Sequence, residues 1–249
     1  MERELYNAIE KGRIREAEEI LRDNPTIDVN WADGWSLLRV ACRFERDSIV
    51  ALLLTHPDID VNLASRDEWT PFYTACYNGH TRCVRLLLND PRVRVNEAIN
   101  GFTPLWEVAE NGFIDIVRWW IASGREMDFG VFGDRKTDVL GVARKKNSMQ
   151  VVPLLERAKN NLEKTRYELR LELGFDDQVA AEVFALMVFV SDGLLAIRGE
   201  DKAVRFFAIA TQLPLELQMV LCHRLVGSCK EFVPVGNSEM AFKRLASMI

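Results

Sequence analysis

The sequence of 249 residues has no long apolar run and no closely paired cysteines, and its start does not have the pattern expected of a secretory leader. Its most apolar segment, VAAEVFALMVFV at residues 179–190, is shorter than the roughly 20 residues that a membrane-spanning helix needs, so we interpret it as a buried helix. The first residues are charged and amphipathic, unlike a signal peptide. The five cysteines form no CxxC pair, which favours a reducing compartment. We therefore expect an intracellular protein, cytoplasmic or alternatively nuclear, with no membrane partner.

An excess of charge of one sign is also missing. The net charge of −5 divides into −4 over residues 1–150, which hold 20 basic and 24 acidic residues, and −1 over residues 151–249, which hold 12 and 13. Neither half has the basic surface that binds nucleic acids or anionic membranes, so we expect no nucleic-acid partner. The one basic cluster, Arg144-Lys145-Lys146, fits the solvated face of a helix, with nuclear targeting as the alternative.

Catalytic motifs are missing as well. The sequence has no glycine-rich phosphate loop, no GxSxG segment and no HExxH segment, and it has only three histidines. One stretch, WTPFYTACYNGHTRCVRLLLND at residues 69–90, does bring Cys76, His80 and Cys83 close together, as a metal site or a catalytic Cys–His pair would. The repetition of this stretch along the chain decides between a chemical site and a packing element.

Near-copies of the stretch recur through the first part of the chain. They begin at Trp35 (WSLLRVACRFERDSIVALLLTHPDIDVN), at Trp69 and at Phe102 (FTPLWEVAENGFIDIVRWWIASGREMDF), and degenerate copies begin at Leu5 and Thr137. Equivalent positions recur every 33 or 34 residues, and they are Arg3, Ser36, Thr70, Thr103 and Thr137. A period of this length predicts an architecture of stacked repeats.

Each copy carries the signals of two short helices and a hairpin. Thr70-Pro71 places a capping hydroxyl and a first-turn proline at the start of the first helix. Asn78-Gly79 ends that helix, because glycine accepts the left-handed conformation. A second helix with apolar residues at helical spacing follows. Hairpin turns are predicted at Asp33-Gly34 and Asn100-Gly101, with hairpin hydrogen bonds from Asn30, Asn62 and Asn96.

The pattern resembles the ankyrin repeat over residues 3–158, and TPFYTACYNGH is a near match to the family's T-P-L-H-x-A-A-x-x-G-H. The resemblance implies an all-α solenoid of about five repeats over residues 1–158, in which the first and last copies are degenerate caps. Cys76 and Cys83 then fall on buried packing positions, and His80 on the family's helix-entry position. We therefore expect no metal site, no cofactor and no catalytic residue.

Departures from the family pattern lead to further expectations. The family histidine, which ties neighbouring repeats together by hydrogen bonds, is replaced by Arg39, Tyr73 and Trp106, so that network is in doubt. The fifth copy lacks Thr-Pro and the glycine that ends its first helix, and Pro153 is predicted to interrupt its second helix. Trp120 stands where neighbouring copies have leucine, and we expect it to fill a larger core space.

The resemblance also implies a concave binding surface made of hairpin tips and first-helix faces. Aromatic residues and arginine dominate the energetics of protein interfaces, and several occur at these positions. The predicted partner-binding residues are Trp35, Arg43, Trp69, Tyr73, Tyr77, Phe102, Trp106 and Glu110. The alternative is structural: the tip rings pack on the next hairpin, and Tyr73 and Trp106 replace the histidine network by stacking.

The periodicity stops after Pro153. Residues 159–173 are predicted to form a connecting helix, with dense charges on its surface. Residues 174–249 show no β pattern and are predicted to form a small helical bundle that caps the solenoid.

The segment LPLELQMVLCHRLVGS at residues 213–228 is similar to the opening of an F-box, a Leu-Pro followed by an amphipathic helix. The matching residues are Leu213, Pro214, Leu217, Val220, Leu221 and Leu225. The resemblance implies cullin ubiquitin-ligase components as partners of residues 213–249, and the alternative is an ordinary bundle helix. The sequence as a whole predicts a non-catalytic interaction module for an unidentified protein partner, with a ubiquitin-ligase substrate adaptor as the alternative function.

Overall fold

The computed structural model describes residues 1–132, 137–174, 183–188, 218–219 and 221–222. Over these residues the regular secondary structure is almost entirely helical, which confirms the all-α class. The helices are α1 (Glu2–Glu10), α2 (Ile14–Asp23), α3 (Leu37–Arg43), α4 (Asp47–Leu54), α5 (Pro71–Asn78), α6 (Thr81–Asn89), α7 (Pro104–Asn111), α8 (Ile114–Ser123), α9 (Val139–Lys145), α10 (Val152–Asn160) and α11 (Leu162–Glu172). Before α9, strand β1 (Val131–Phe132) pairs antiparallel with β2 (Thr137–Asp138).

The chain divides into two compact units, Met1–Arg166 and Tyr167–Ile249. In the second unit, residues 183–188, 218–219 and 221–222 are helical. The predicted bundle and its F-box-like segment otherwise lie outside the described residues, so both stay predictions. None of the described helices is long and apolar enough to cross a membrane.

The helices of the first unit form two layers. The first helix of each repeat packs beside the first helix of the next, in the order α1, α3, α5, α7 and α9. The second helices α2, α4, α6, α8 and α10 pack in the same order and form the second layer. Between the layers lies an apolar core whose largest fully buried side chains include Trp106, Trp120, Phe72, Leu37 and Leu105.

Capping hydroxyls begin the first helices, as the sequence predicts. The side chains of Ser36, Thr70 and Thr103 each accept a hydrogen bond from the backbone N–H three residues later. In the fifth repeat this role belongs to Asp138, whose carboxylate accepts from the backbone N–H of the third residue after it at 2.7 Å. The residue that caps the first helix of the fifth repeat is therefore Asp138. It lies one residue after Thr137, the position that the period of 33 or 34 residues predicts.

The turn between the two helices is the same in five consecutive helix pairs. At each turn one residue has a positive φ: Gly12 (70°), Glu45 (54°), Gly79 (75°), Gly112 (72°) and Asn147 (59°). Two of the five are not glycine, and each such residue costs about 1–2 kcal/mol in the left-handed conformation. The turn is therefore kept even where the sequence does not favour it.

The prediction that Pro153 interrupts the second helix of the fifth repeat is wrong. Pro153 lies in the first turn of α10, which begins at Val152 and continues to Asn160. Backbone N–H groups in the first turn of a helix have no intrahelical acceptor, so a proline costs no hydrogen bond there.

The hairpin asparagines form hydrogen bonds in two of the three predicted places. Asn30 and Asn62 each donate to a carbonyl of the next hairpin, at 2.7 and 2.8 Å. In the next repeat the matching carbonyl, that of Glu126, instead accepts from the indole N–H of Trp120 at 3.0 Å. Trp120 is fully buried, as predicted, and its N–H takes the place of the hydrogen bond expected from Asn96.

The close packing of the inter-helix turn gives a first testable prediction. A Cβ added to Gly79 would lie 2.8 Å from the ring of Phe113, whereas one added to Gly34, in a hairpin, would meet nothing within 4 Å. Both glycines have a positive φ, so each alanine pays about 1–2 kcal/mol for the left-handed conformation. Overpacking adds about 1–3 kcal/mol at Gly79 alone. Urea unfolding should therefore show a clearly larger loss of stability for Gly79→Ala than for Gly34→Ala, and equal losses would contradict the packing argument.

Candidate functional site

Three aromatic rings cluster at the start of the third repeat. Trp69 stands edge-on to Tyr73, with ring centroids 5.1 Å apart, and edge-on to Tyr77 at 4.8 Å. Tyr77 lies one helical turn beyond Tyr73 on α5 and is 43% exposed, while Tyr73 is only 3% exposed. Trp69 is half-buried. The cluster therefore combines a buried base with an accessible outer edge.

Arg39 joins this cluster to the second repeat. Its guanidinium carbon lies 4.7 Å from the ring centroid of Trp35 and 5.6 Å from that of Trp69, within the range of cation–π attraction. The side chain is 4% exposed. It donates to both carboxylate oxygens of Asp67 at 3.0 Å and to the hydroxyl of Thr74 at 3.2 Å. One buried cation thus fixes two indole rings and the hairpin that carries Asp67.

Tyr73 makes the corresponding link between the third and fourth repeats. Its hydroxyl donates to the carboxylate of Glu107 at 2.8 Å, and both side chains are buried. Burial, followed by the nearby negative charge of Glu107, raises the pKa of Tyr73 well above its usual value. Arg39 and Tyr73 stand where the family has histidine, so a different set of hydrogen bonds ties these repeats together.

The structure sorts the eight predicted partner-binding residues into three groups. Arg43 and Tyr77 are exposed, and Trp35, Trp69, Phe102 and Glu110 are half-buried. Tyr73 and Trp106, at 3% and 1% exposed, are buried. The inclusion of these two is a correction: their rings are buried, so a partner cannot reach them in this structure.

Four of the remaining residues form what we call the aromatic row: Trp35, Trp69, Tyr77 and Phe102. The charged residues beside the row are bonded within the chain. Arg43 donates to the side-chain oxygen of Asn78 at 2.7 Å, and Glu110 lies 3.1 Å from the ammonium group of Lys146. The row is therefore a partly accessible aromatic surface, and the exposed cation of Arg43 beside it is bonded only to a neutral amide.

The cysteines of the opening stretch occupy packing positions. Cys76 and Cys83 are fully buried, as is Cys42 in the preceding repeat. Burial raises the pKa of all three thiols, to about 12 for Cys83, so they are poor nucleophiles at neutral pH. His80 lies 3.2 Å from the carbonyl oxygen of Arg43. Within the described part of the chain, no group of three or more potential ligands could hold a metal ion.

A family model described as ankyrin repeats, three copies, matches residues 41–131. These residues are ankyrin repeats. SMC5-SMC6 complex localization factor protein 1 of Homo sapiens is 34% identical over 92 residues, which are 36% of this chain and 9% of that protein. Cortactin-binding protein 2 of Rattus norvegicus is 42% identical over 71 residues, which are 28% of this chain and 4% of that protein. The matched part thus spans less than a tenth of these relatives.

The hydrogen bond between the third and fourth ankyrin repeats gives a second prediction. Tyr73→Phe removes the donor to Glu107 and leaves a buried carboxylate with one hydrogen bond fewer, so we expect a loss of about 1–3 kcal/mol. Tyr77→Phe removes the same hydroxyl one turn later on α5, where the ring is exposed, and should change stability by less than about 0.5 kcal/mol. Urea unfolding measures both, and equal effects would contradict the role of Tyr73.

The pair of Arg39 and Asp67 gives a third prediction, in the dependence of stability on pH. Partial burial acts to raise the pKa of Asp67, but hydrogen bonds from Ser65 and Arg39 outweigh it and leave the pKa below its usual value. A carboxylate with a lowered pKa stabilises the fold above its unfolded pKa, and this stability is lost as the pH falls through the folded value.

Asp67→Asn should therefore cost about 1 kcal/mol at pH 7, a modest value because the carboxylate is half-exposed. The difference from the wild type should shrink as the pH falls below about 4. Asp33→Asn, at an exposed carboxylate of the preceding hairpin, serves as the control and should cost less than about 0.5 kcal/mol at pH 7. A loss of stability in Asp67→Asn that stays constant down to pH 3 would contradict the ion pair.

Proposed function

We propose that this chain is a non-catalytic interaction module that binds a protein partner through the aromatic row. The observation that carries the proposal is the cluster of Trp69 and Tyr77: two adjacent aromatic rings, accessible at their outer edges and supported from below by buried residues. Aromatic side chains of this kind supply most of the binding energy at protein interfaces.

The support beneath the row favours tight binding. Immobilising a mobile side chain at an interface costs about 0.5–1.5 kcal/mol. Trp35 and Trp69 already lie against the guanidinium of Arg39, which two repeats hold in place. Since their rings are held before a partner arrives, little of this cost remains at binding.

The names of the relatives agree with a binding role. One is named for the localization of the SMC5-SMC6 complex and the other for binding cortactin. The repeats they share with this chain support protein binding in general, and their own partners are not carried over. We propose a cytoplasmic location, with a nuclear one as the alternative. The F-box-like segment stays a prediction, because only four residues of 213–228 are described.

Paired tyrosine variants test the proposal. Tyr77→Ala removes an exposed ring of the row, and Tyr167→Ala removes an exposed ring of α11, which is 60% exposed. Affinity capture from cells with quantitative mass spectrometry should recover proteins that decrease at least about fivefold with Tyr77→Ala, as expected for the loss of about 1 kcal/mol or more at an interface aromatic. These proteins should be recovered normally with Tyr167→Ala.

Both variants are first checked for an unchanged urea midpoint. Partners identified in this way are then titrated against the purified full chain, so that the loss appears as a higher Kd. Identical recovery with Tyr77→Ala, and likewise with Trp69→Ala, would rule out the aromatic row as the binding surface.

A further inference from the structure

The first ankyrin repeat carries the whole negative excess of residues 1–150. Residues 1–34 hold 5 basic and 9 acidic residues, a net charge of −4, whereas residues 35–150 hold 15 of each sign. A surface of one sign attracts ligands of the opposite sign and speeds their association. The first repeat therefore favours a positively charged ligand, while the net charge of the following repeats favours neither sign.

Two of these carboxylates, Glu10 and Asp33, belong to a group that also contains two aromatic rings. Tyr6 and Trp31 stand nearly perpendicular, at 80°, with ring centroids 5.9 Å apart. Glu10 follows Tyr6 by one turn of α1, so both lie on the same face of the helix. Asp33 lies two residues after Trp31, in a hairpin closed by an isolated bridge. We call Tyr6, Glu10, Trp31 and Asp33 the acidic corner.

Negative charge dominates at the acidic corner. Burial raises the pKa of Tyr6 above its usual value, and the carboxylates of Glu10 and Asp33 raise it further. Both effects exceed the opposing effect of the Arg39 cation. Within the described part of the chain, the two carboxylates take part in no ion pair and no side-chain hydrogen bond. Their charge is therefore available to a ligand.

The arginines of the second repeat are engaged with other groups. Arg39 donates to both carboxylate oxygens of Asp67 at 3.0 Å. Arg46 donates to the backbone carbonyl of Glu10 at 3.0 Å and not to its carboxylate. Arg43 donates to a side-chain amide oxygen of the third repeat at 2.7 Å. None of these three cations neutralises the acidic corner by an ion pair.

The interior of the stack shows which ligand such a combination of groups holds. Arg39 lies against the rings of Trp35 and Trp69 while it bonds the Asp67 carboxylate. The acidic corner offers the same combination, two aromatic rings with carboxylates, where its residues are half-buried or exposed and a ligand can reach them. A planar guanidinium stacks on a ring and pairs with a carboxylate through two N–H groups, whereas the ammonium of lysine acts as a point charge.

We propose that the acidic corner binds an arginine side chain in a basic segment of a partner protein. The guanidinium packs against the rings of Tyr6 and Trp31 and donates to the carboxylates of Glu10 and Asp33. The acidic corner shares no residue with the aromatic row, so this inference goes beyond the function proposed above and does not depend on it.

The probe is a short fluorescein-labelled peptide in which arginines alternate with glycine and serine, titrated with the full chain and followed by fluorescence anisotropy. The control peptide replaces every arginine with lysine and so keeps the charge. We expect the arginine peptide to bind at least about threefold more tightly, because only the guanidinium stacks and forms paired hydrogen bonds. No measurable binding of the arginine peptide, or equal binding of the two peptides, would overturn the proposal.

Variants with the same change of charge separate the acidic corner from the general attraction of an acidic protein. Asp33→Asn and Glu10→Gln each remove one carboxylate of the corner and should weaken binding of the arginine peptide about twofold to fivefold. Glu18→Gln removes an exposed carboxylate of α2 in the same repeat and should leave the affinity nearly unchanged. If Glu18→Gln and Asp33→Asn weaken binding equally, overall charge attracts the peptide and the proposal is wrong.

A variant of the aromatic wall tests the preference for arginine itself. Trp31→Ala should lower the ratio of the affinities for the arginine and lysine peptides, because the stacking that distinguishes them is lost. Trp119→Ala, at a half-buried tryptophan of α8 in the second-helix layer, should leave this ratio unchanged. Every variant is first checked for an unchanged urea midpoint. A ratio that Trp31→Ala does not alter would also overturn the proposal.

Discussion

A pair of short helices cannot bury its own apolar face, and the structure of this chain depends on that constraint. The helices of the first unit have 7–10 residues, from α3 and α9 at the shortest to α2 and α8 at the longest. Isolated helices shorter than about 12–15 residues are marginal in water, so each repeat is stable only against its neighbours. Contacts between repeats therefore carry the stability, and the residues at those contacts are the ones that matter most.

This constraint explains why residues that stabilise the stack and residues of the proposed binding surface occur together on α5. Tyr73 faces the next repeat and bonds Glu107, whereas Tyr77, one turn later, reaches the surface. Trp69 touches both rings. A buried hydroxyl and an exposed hydroxyl thus belong to one aromatic cluster, joined through the ring of Trp69. Removing either hydroxyl separates the two roles experimentally.

Much of the repeat was predictable because its signals are local. The caps at Thr70 and Thr103, and the buried position of Cys76, follow from residues a few positions apart. The pairing of Arg39 with Asp67 was not predictable, because these residues lie 28 positions apart and meet only once two repeats have stacked.

The burial of Tyr73 and Trp106 was misjudged for a related reason. Residue type suggested interface aromatics, but accessibility is decided by the packing around each side chain and not by its residue type. The same limit applied at Pro153, where the exact start of α10 decided whether a proline breaks a helix or begins it. Fold class followed from the period of the sequence, whereas the surface required the distances between repeats.

The fixed spacing of the repeats also bears on specificity. Because Arg39 holds Trp35 and Trp69 from two different repeats, the distance between these rings is set by the stack and not by side-chain rotation. A partner must then place its own contact groups at that distance. Flexible aromatic residues would adapt to many spacings, whereas rings held by a buried, doubly hydrogen-bonded cation accept few. We therefore expect Arg39, which stands at the position of the family histidine, to make the proposed binding row more selective as well as more rigid.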